Sequence, residues 1–309
     1  MTTTRTSTPA PHLTTVPLAV SGSFSLESVA MMGFGHRHET AFDGVMRLAF
    51  CLDGGFATAG AAEVRQAGGA VECAVVAGDP DAVTRHVSRV LSLDHDGAAY
   101  DVICERDPLL SRLASLRPGL RPPLFYSPYE AAAWGVLSAR RSAMQMTRVR
   151  TALSRAHGTT FELAGQEVSG FPTPLQLLGV SAFDGIEPAK IGRLHGIARA
   201  ALDGALEATH LRSVGPDQAA LELQRLPGIG PFYASLVVIR AVGFTDVLAT
   251  AEPRLLAAVG DRIGLGRPAT AEELTEIAES WRPFRTWANV LIRATANESI
   301  ALTPAAPGN

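Results

Sequence analysis

The sequence predicts a mainly α-helical protein with an N-terminal α+β domain. Two observations predict that class. Before about residue 105, short apolar runs alternate with glycine-bearing turns, as strands do. Beyond it, apolar residues recur at helical spacing between capping and proline signals. The chain has 309 residues, 47% of them apolar, and a mean hydropathy of +0.15. That suffices for one large domain or two ordinary ones with a substantial core.

The elements follow in order. Residues 1–23, including "MTTTRTSTPAPHLTTVP", have no apolar signal core and read as a flexible tail. Residues 24–105 form the α+β domain. "GVMRLAFCL" and "GAVECAVVAG" are its strands, and "DPDAVTRHVSRVLSL" is a helix with Val83, Val87, Val90 and Leu91 at helical spacing. Residues 106–300 form the helical domain. Ser127, Pro128 and Glu130 make a capping box with proline in the first turn, and Thr173–Pro174 opens a helix before Leu175, Leu177 and Leu178. Thr270 with Glu273 is a second capping box, and Gly158 sits where a glycine stop belongs. Residues 301–309 form a second flexible tail.

The net charge of −3 is unlike that of a nucleic-acid binder, but its distribution is uneven. Between Arg106 and Arg155 lie nine arginines, including Arg117, Arg121, Arg140, Arg141, Arg148 and Arg150, opposed only by Asp107 and Glu130. Such a local cationic region can contact phosphate despite the overall balance. Lys190 is the only lysine, a bias that extends along the whole chain. No apolar run reaches the roughly 18 residues needed to span a bilayer. Cys51, Cys73 and Cys104 lack metal-ligand spacing. The expectation is a reduced, cytoplasmic, monomeric protein with no membrane partner.

"LPGIGPFYA" at 226–234 carries the functional signal. Pro227 and Gly228 stop one helix, and Pro231 suits the first turn of the next. The N–H groups of Gly228, Ile229 and Gly230 are left to face outward, where an anion such as phosphate fits. A plain turn between packed helices is the other reading. Downstream, "GFTDVLATAEPRLLAAVG" brings the carboxylates Asp246 and Glu252.

"LQRLPGIGPFYASLVVIRAVGFTDVLATAEPRLLAAVG" resembles the helix-hairpin-helix DNA glycosylase superfamily, and within it the 3-methyladenine DNA glycosylase II (AlkA-type) branch. "FSLESVAMMGFGHRH", "RPGLRPP", "SPYEAAAWGVLSARRSAMQMTRVRTALSRAHG", "FPTPLQLL" and "WRPFRTWANVLIRA" extend the likeness over roughly residues 24–298 in the order of that branch. The resemblance implies a TATA-binding-protein-like α+β domain before all-helical HhH-GPD domains. It implies base-excision repair of double-stranded DNA with alkylated bases, close to the nucleoid. A damaged nucleotide is flipped into a cleft, because its bond cannot be engaged inside the stack.

The likeness also implies roles. Glu252 stands where the superfamily carries a catalytic aspartate, to stabilise a cationic, oxocarbenium-like sugar. Its other role is to complement the helix dipole behind a Thr250 cap. Asp246 is the reserve carboxylate or a loop residue. Phe232 replaces the lysine of lyase members, so a Schiff base is not expected, and an aromatic there gives a shelf for the base or a core contact. Leu236, Trp281, Phe284 and Trp287 are the other candidates for the base pocket, the three rings through cation–π contact or as core. Carbonyls at Leu226 and Ile229 are implied to hold a Na+ or K+ ion beside the amides of Gly228 and Gly230. No catalytic cofactor is expected, and the cysteine ladder of iron–sulfur members is missing. In "LSARRSAM", Ala139 and Arg140 occupy the positions of a glutamine and an apolar wedge. Arg140 therefore fills the gap by stacking, or else joins Arg141 as a phosphate contact.

Overall fold

The computed structural model describes residues 14–33 and 41–298. Residues 1–13 and 301–309 of the expected tails, and the "FGHRH" end of the N-terminal motif, lie outside the described residues. The sequence expectation of a mainly helical chain with a small α+β part holds. β1 (Thr14–Leu18) precedes a short helix α1 (Leu26–Met31), and β2 (Met46–Cys51), β3 (Ala59–Ala67) and β4 (Ala70–Ala77) follow. The sheet is antiparallel throughout, in the order β1-β4-β3-β2. Part of the expected tail is therefore an edge strand. Its alternation is hidden among threonines and prolines, and pairing with β4 decides its conformation. α2 (Pro80–Val90) lays Val83, Val87 and Val90 on Leu48, Phe50, Val64 and Cys73.

The remaining chain is helical, and proline marks most starts. α3 (Gly97–Arg106) and α4 (Pro108–Leu116) lead to α5 (Pro128–Ser138) and α6 (Ala143–His157). A hairpin of β5 (Thr160–Leu163) and β6 (Gln166–Ser169) interrupts them; its polar four-residue strands were not anticipated. Then come α7 (Pro174–Leu178), α8 (Pro188–Leu202), α9 (Ala208–Val214), α10 (Pro216–Gln224) and α11 (Pro231–Val237). α11 runs into a π-helical turn at Val238–Val242. α12 (Pro253–Arg262), α13 (Ala271–Ile277), a 3-10 turn at Ala278–Trp281 and α14 (Arg285–Ala294) complete the fold. Proline at the first helical position sacrifices no hydrogen bond, and its fixed φ suits the helix.

Two helical cores result. One surrounds α5, whose residues Pro128 to Leu137 are all buried, and takes in α8 to α11. The other packs Tyr100, Leu110 and Leu113 of α3 and α4 against Leu255, Val259, Trp287 and Leu291. α3 thus packs with the C-terminal helices. The Ser127 box forms only by half. Its hydroxyl accepts the Glu130 N–H at 3.1 Å, but the Glu130 carboxylate turns to Arg150 at 2.7 Å and to the Cys51 N–H at 3.2 Å. The Thr173–Gln176 and Thr270–Glu273 boxes are complete. Gly158 ends α6 in an extended conformation, and a Cβ there would lie 2.1 Å from the Gly170 carbonyl. Close approach, rather than a left-handed turn, requires that glycine. No helix among the described residues is long and apolar enough to cross a membrane.

Candidate nucleic-acid interface and active site

The turn between α10 and α11 leaves two exposed backbone amides at the start of a helix. Gly228 has φ +91°, a conformation glycine takes freely. The Ile229 side chain is buried, and its N–H donates to the Leu226 carbonyl at 3.1 Å. One of the three amides expected to face outward is thus used inside the turn. Those of Gly228 and Gly230 have no acceptor among the described residues, and both glycines are exposed. Around Gly230 nothing lies within 4 Å of the position a Cβ would take. Arg193 of α8 is exposed, and its Cδ would lie 3.0 Å from a Cβ on Gly228. Sequence reading missed it, because it is remote from the turn along the chain.

Phe232 follows directly. It is 66% exposed and meets Tyr233 edge-on, with ring centroids 5.3 Å apart. A core role for Phe232 is therefore ruled out. Leu236, one turn on, is half-buried against the α5 core.

Glu252 is itself the N-cap of α12, displacing Thr250 from that expected place. Its carbonyl accepts from Leu255 and Leu256, both at 3.1 Å, while its carboxylate caps nothing. The carboxylate meets Arg293 Nε at 3.2 Å instead, with the two side chains 29% and 31% exposed. Arg293 is a second residue that sequence reading missed. The signal available was the polar row Arg285, Asn289, Arg293, spaced by four along a mostly apolar helix. Asp246 is occupied elsewhere. Its carboxylate accepts from Arg282 at 2.7 Å and from Arg285 at 2.6 Å, tying the loop before α12 to α14.

The three C-terminal rings are core, which corrects their place among the pocket candidates. Trp281 is fully buried, and its indole N–H donates to Asp107 at 2.8 Å. Phe284 and Trp287 are buried too, with centroids 5.0 Å apart, and both pack on Tyr100. Tight packing leaves none of them a free face.

The cationic region divides. Arg121 and Arg150 are buried, the first donating to the Ser23 carbonyl at 3.0 Å and the second paired with Glu130. Arg140, Arg141, Arg148 and Arg155 are exposed, on the α5–α6 loop and on α6. Arg140 has φ +57°, uncommon for a residue with a side chain. Lys190 holds that loop from below, donating to the carbonyls of Leu137 at 2.6 Å and Ala139 at 3.0 Å. Burial lowers the pKa of its ammonium. Arg141 pairs with Glu187 and holds that carboxyl below its usual range. Met144, in the first turn of α6, is 66% exposed beside the loop and was not anticipated.

No protein-family model and no curated protein matches the sequence. Solved structures do match the fold. A 3-methyladenine DNA glycosylase from Archaeoglobus fulgidus superposes with a TM-score of 0.73 at 21% identity, over 92% of this chain and 98% of that one. MBOgg1, in complex with a low-affinity DNA ligand, gives 0.70 at 17% identity over 89% and 92%. The apo form of the Clostridium acetobutylicum 8-oxoguanine glycosylase/lyase gives 0.67 at 17% identity over 88% and 92%. The chain shares the fold of these DNA glycosylases over about nine-tenths of its length, as the resemblance in its hairpin implied.

Proposed function

We propose that the protein is a monofunctional DNA glycosylase that removes alkylated, 3-methyladenine-like bases from duplex DNA. One observation carries the reading. Glu252 is a partly exposed carboxylate on a helix N-terminus that caps nothing, on a fold shared with DNA glycosylases. The amides of Gly228 and Gly230, with Arg193 beside them, grip a backbone phosphate. The turn suits a monovalent cation. The Ile229 carbonyl accepts no hydrogen bond among the described residues, and the Leu226 carbonyl accepts one and keeps a second lone pair. Leu226 and Ile229 would hold Na+ or K+ through those oxygens, adding positive charge against the phosphate.

The flipped base lies against Phe232, with Leu236 behind it. Arg140 and Met144 fill the space it leaves in the duplex, one by stacking and the other as an apolar wedge. The bond from C1′ to the base nitrogen then breaks, and its electron pair leaves with the base. Glu252 stabilises the cationic sugar, water adds to C1′, and the water's proton goes to solvent. Position 232 offers no amine, so no Schiff base forms and the product is an abasic site.

Arg293 supports a second reading. Its guanidinium offsets the Glu252 charge in the free protein, and glutamate is a methylene longer than the aspartate of the superfamily. The protein would then bind damaged or distorted DNA without efficient excision. One assay separates the two: incubation with alkylated duplex DNA, scored for released bases and abasic sites. The glycosylase reading expects excision by the wild type and none by Glu252→Gln, with DNA binding kept. Trace excision at equal rates in both proteins favours binding alone.

A further inference from the structure

We propose that Lys190 sets the turn that aims Arg140 into the duplex. The inference rests on the DNA reading above, in which Arg140 enters the space left by the flipped base. Ser138, Ala139, Arg140 and Arg141 form one β-turn, closed by the Arg141 N–H donating to the Ser138 carbonyl at 3.0 Å. Ala139 has φ −53° and ψ 120°, and Arg140 has φ +57°. Those angles belong to a type II turn, whose third residue is ordinarily glycine or asparagine. An exposed arginine is a poor occupant of that place. Rotating the Ala139–Arg140 peptide by about 180° would give a type I turn, which brings the third residue to φ of about −90° and suits most side chains. A strained conformation of this kind persists only where its surroundings hold it.

Lys190 provides that restraint. Its ammonium donates to the carbonyls of Leu137 at 2.6 Å and Ala139 at 3.0 Å. The Ala139 carbonyl belongs to the peptide that would rotate, and rotation would carry it away from the ammonium. Lys190 is only 6% exposed, and it is the one lysine in a chain that uses arginine at every other such basic position. It is the third residue of α8, where the helix dipole disfavours a cation. Its side chain carries the charge to the C-terminal end of α5, where the dipole favours one. A compact ammonium with three donors can serve two neighbouring carbonyls at once. On the other side of Arg140, Arg141 pairs with Glu187, the N-cap of α8. The start of α8 thus grips the turn on both sides of Arg140 and leaves that side chain exposed.

The test compares wild type, Lys190→Met, Arg140→Ala and the double variant on two duplexes of one sequence. One duplex is intact, and the other holds a tetrahydrofuran abasic analogue. Lys190→Gln, neutral and one bond shorter, replaces the methionine variant if that chain does not fold. Wild type is expected to prefer the abasic duplex by about fivefold or more, the worth of one stacked contact. Lys190→Met should lose that preference as Arg140→Ala does, while keeping the wild-type affinity for the intact duplex and its salt dependence. The double variant should lose no more than either single one, because Lys190 acts through Arg140. In the nuclear magnetic resonance spectrum, a strong amide–Hα cross-peak within Arg140 marks its positive φ, and it should weaken in Lys190→Met. A preference that survives in a folded Lys190 variant overturns the proposal, as does a further loss when Lys190→Met is added to Arg140→Ala. So does an equal loss on both duplexes with a changed salt slope, which would make the ammonium a charge for phosphate only. A wild type that binds both duplexes alike refutes the DNA reading itself, and this role with it.

Discussion

At Glu252, one methylene separates two accounts of the residue. The longer side chain reaches Arg293 at 3.2 Å, and that pair fixes where the carboxylate stands. Aspartate at 252 would withdraw the charge by roughly 1 Å and give up the ion pair, and a displacement of that size can cost about 100-fold in rate. Glu252→Asp is therefore expected to slow single-turnover excision by about 10- to 100-fold while leaving DNA affinity within a factor of two or so. A faster enzyme would show instead that glutamate is an impaired substitute. The residues legible in the sequence were those of a contiguous motif: Gly228, Gly230, Phe232 and Glu252. Arg193 and Arg293 were not, since α8 and α14 meet that motif only through tertiary packing. The opposite error fell on Trp281, Phe284 and Trp287, where aromatic chemistry suggested a pocket and burial made a core.

At the scale of elements, the hairpin and the α5–α6 loop make separable predictions. Gly230 has φ −89° and open space around it, so Gly230→Asp should fold. It sets a negative charge against the phosphate proposed to bind there, worth on the order of 1–4 kcal/mol at 4 Å in surroundings between water and protein. Affinity is expected to fall about tenfold or more on every duplex, whatever its sequence or damage; unchanged binding would remove the hairpin from the interface. Arg141 is already held by Glu187, whereas Arg140 projects from the loop tip. Arg140→Ala should accordingly reduce the preference for lesion-bearing over intact duplex. Arg141→Ala should weaken both alike, with a fall of about one in the slope of log affinity against log salt. An equal loss on both duplexes with that same change of slope would make Arg140 a phosphate contact only. Elements were legible where prolines and caps marked them, as at Pro128, Pro174 and Pro231. β1 and the β5–β6 hairpin escaped because short polar strands acquire their identity from a partner strand.

Across the whole molecule, the α+β part is bonded into the helices rather than linked to them. Arg89 of α2 donates to the carbonyls of Ala241 at 3.0 Å and Tyr126 at 2.6 Å, and to Asp53 at 2.7 Å. The texture change in the sequence located two parts but not this junction, which is made of backbone carbonyls that no side-chain pattern reports. His86 lies within it, fully buried, stacked on Phe50 at 4.0 Å and 3.4 Å from the Asp53 carboxylate. Burial, with the Arg89 charge adding to it, holds the His86 pKa well below its ordinary value. The unfolded chain takes up a proton at this histidine near pH 6.5, and the folded one does so only at much lower pH. Stability is therefore lost as the pH falls through 6.5, by at most about 1.4 kcal/mol at pH 5.5 from this one group. His95, also lowered by burial, acts in the same direction. Asp53, raised by burial against the pull of Arg89, acts oppositely: its share is lost as pH rises. Both groups remain in His86→Phe, which keeps the stack on Phe50 and removes the titration. Urea unfolding at pH 7.5 and 5.5 should show the wild type losing more stability than the variant between the two, up to about 1.4 kcal/mol. Equal losses would mean that His86 takes up its proton in the folded protein, and that acid does not loosen the junction through this residue.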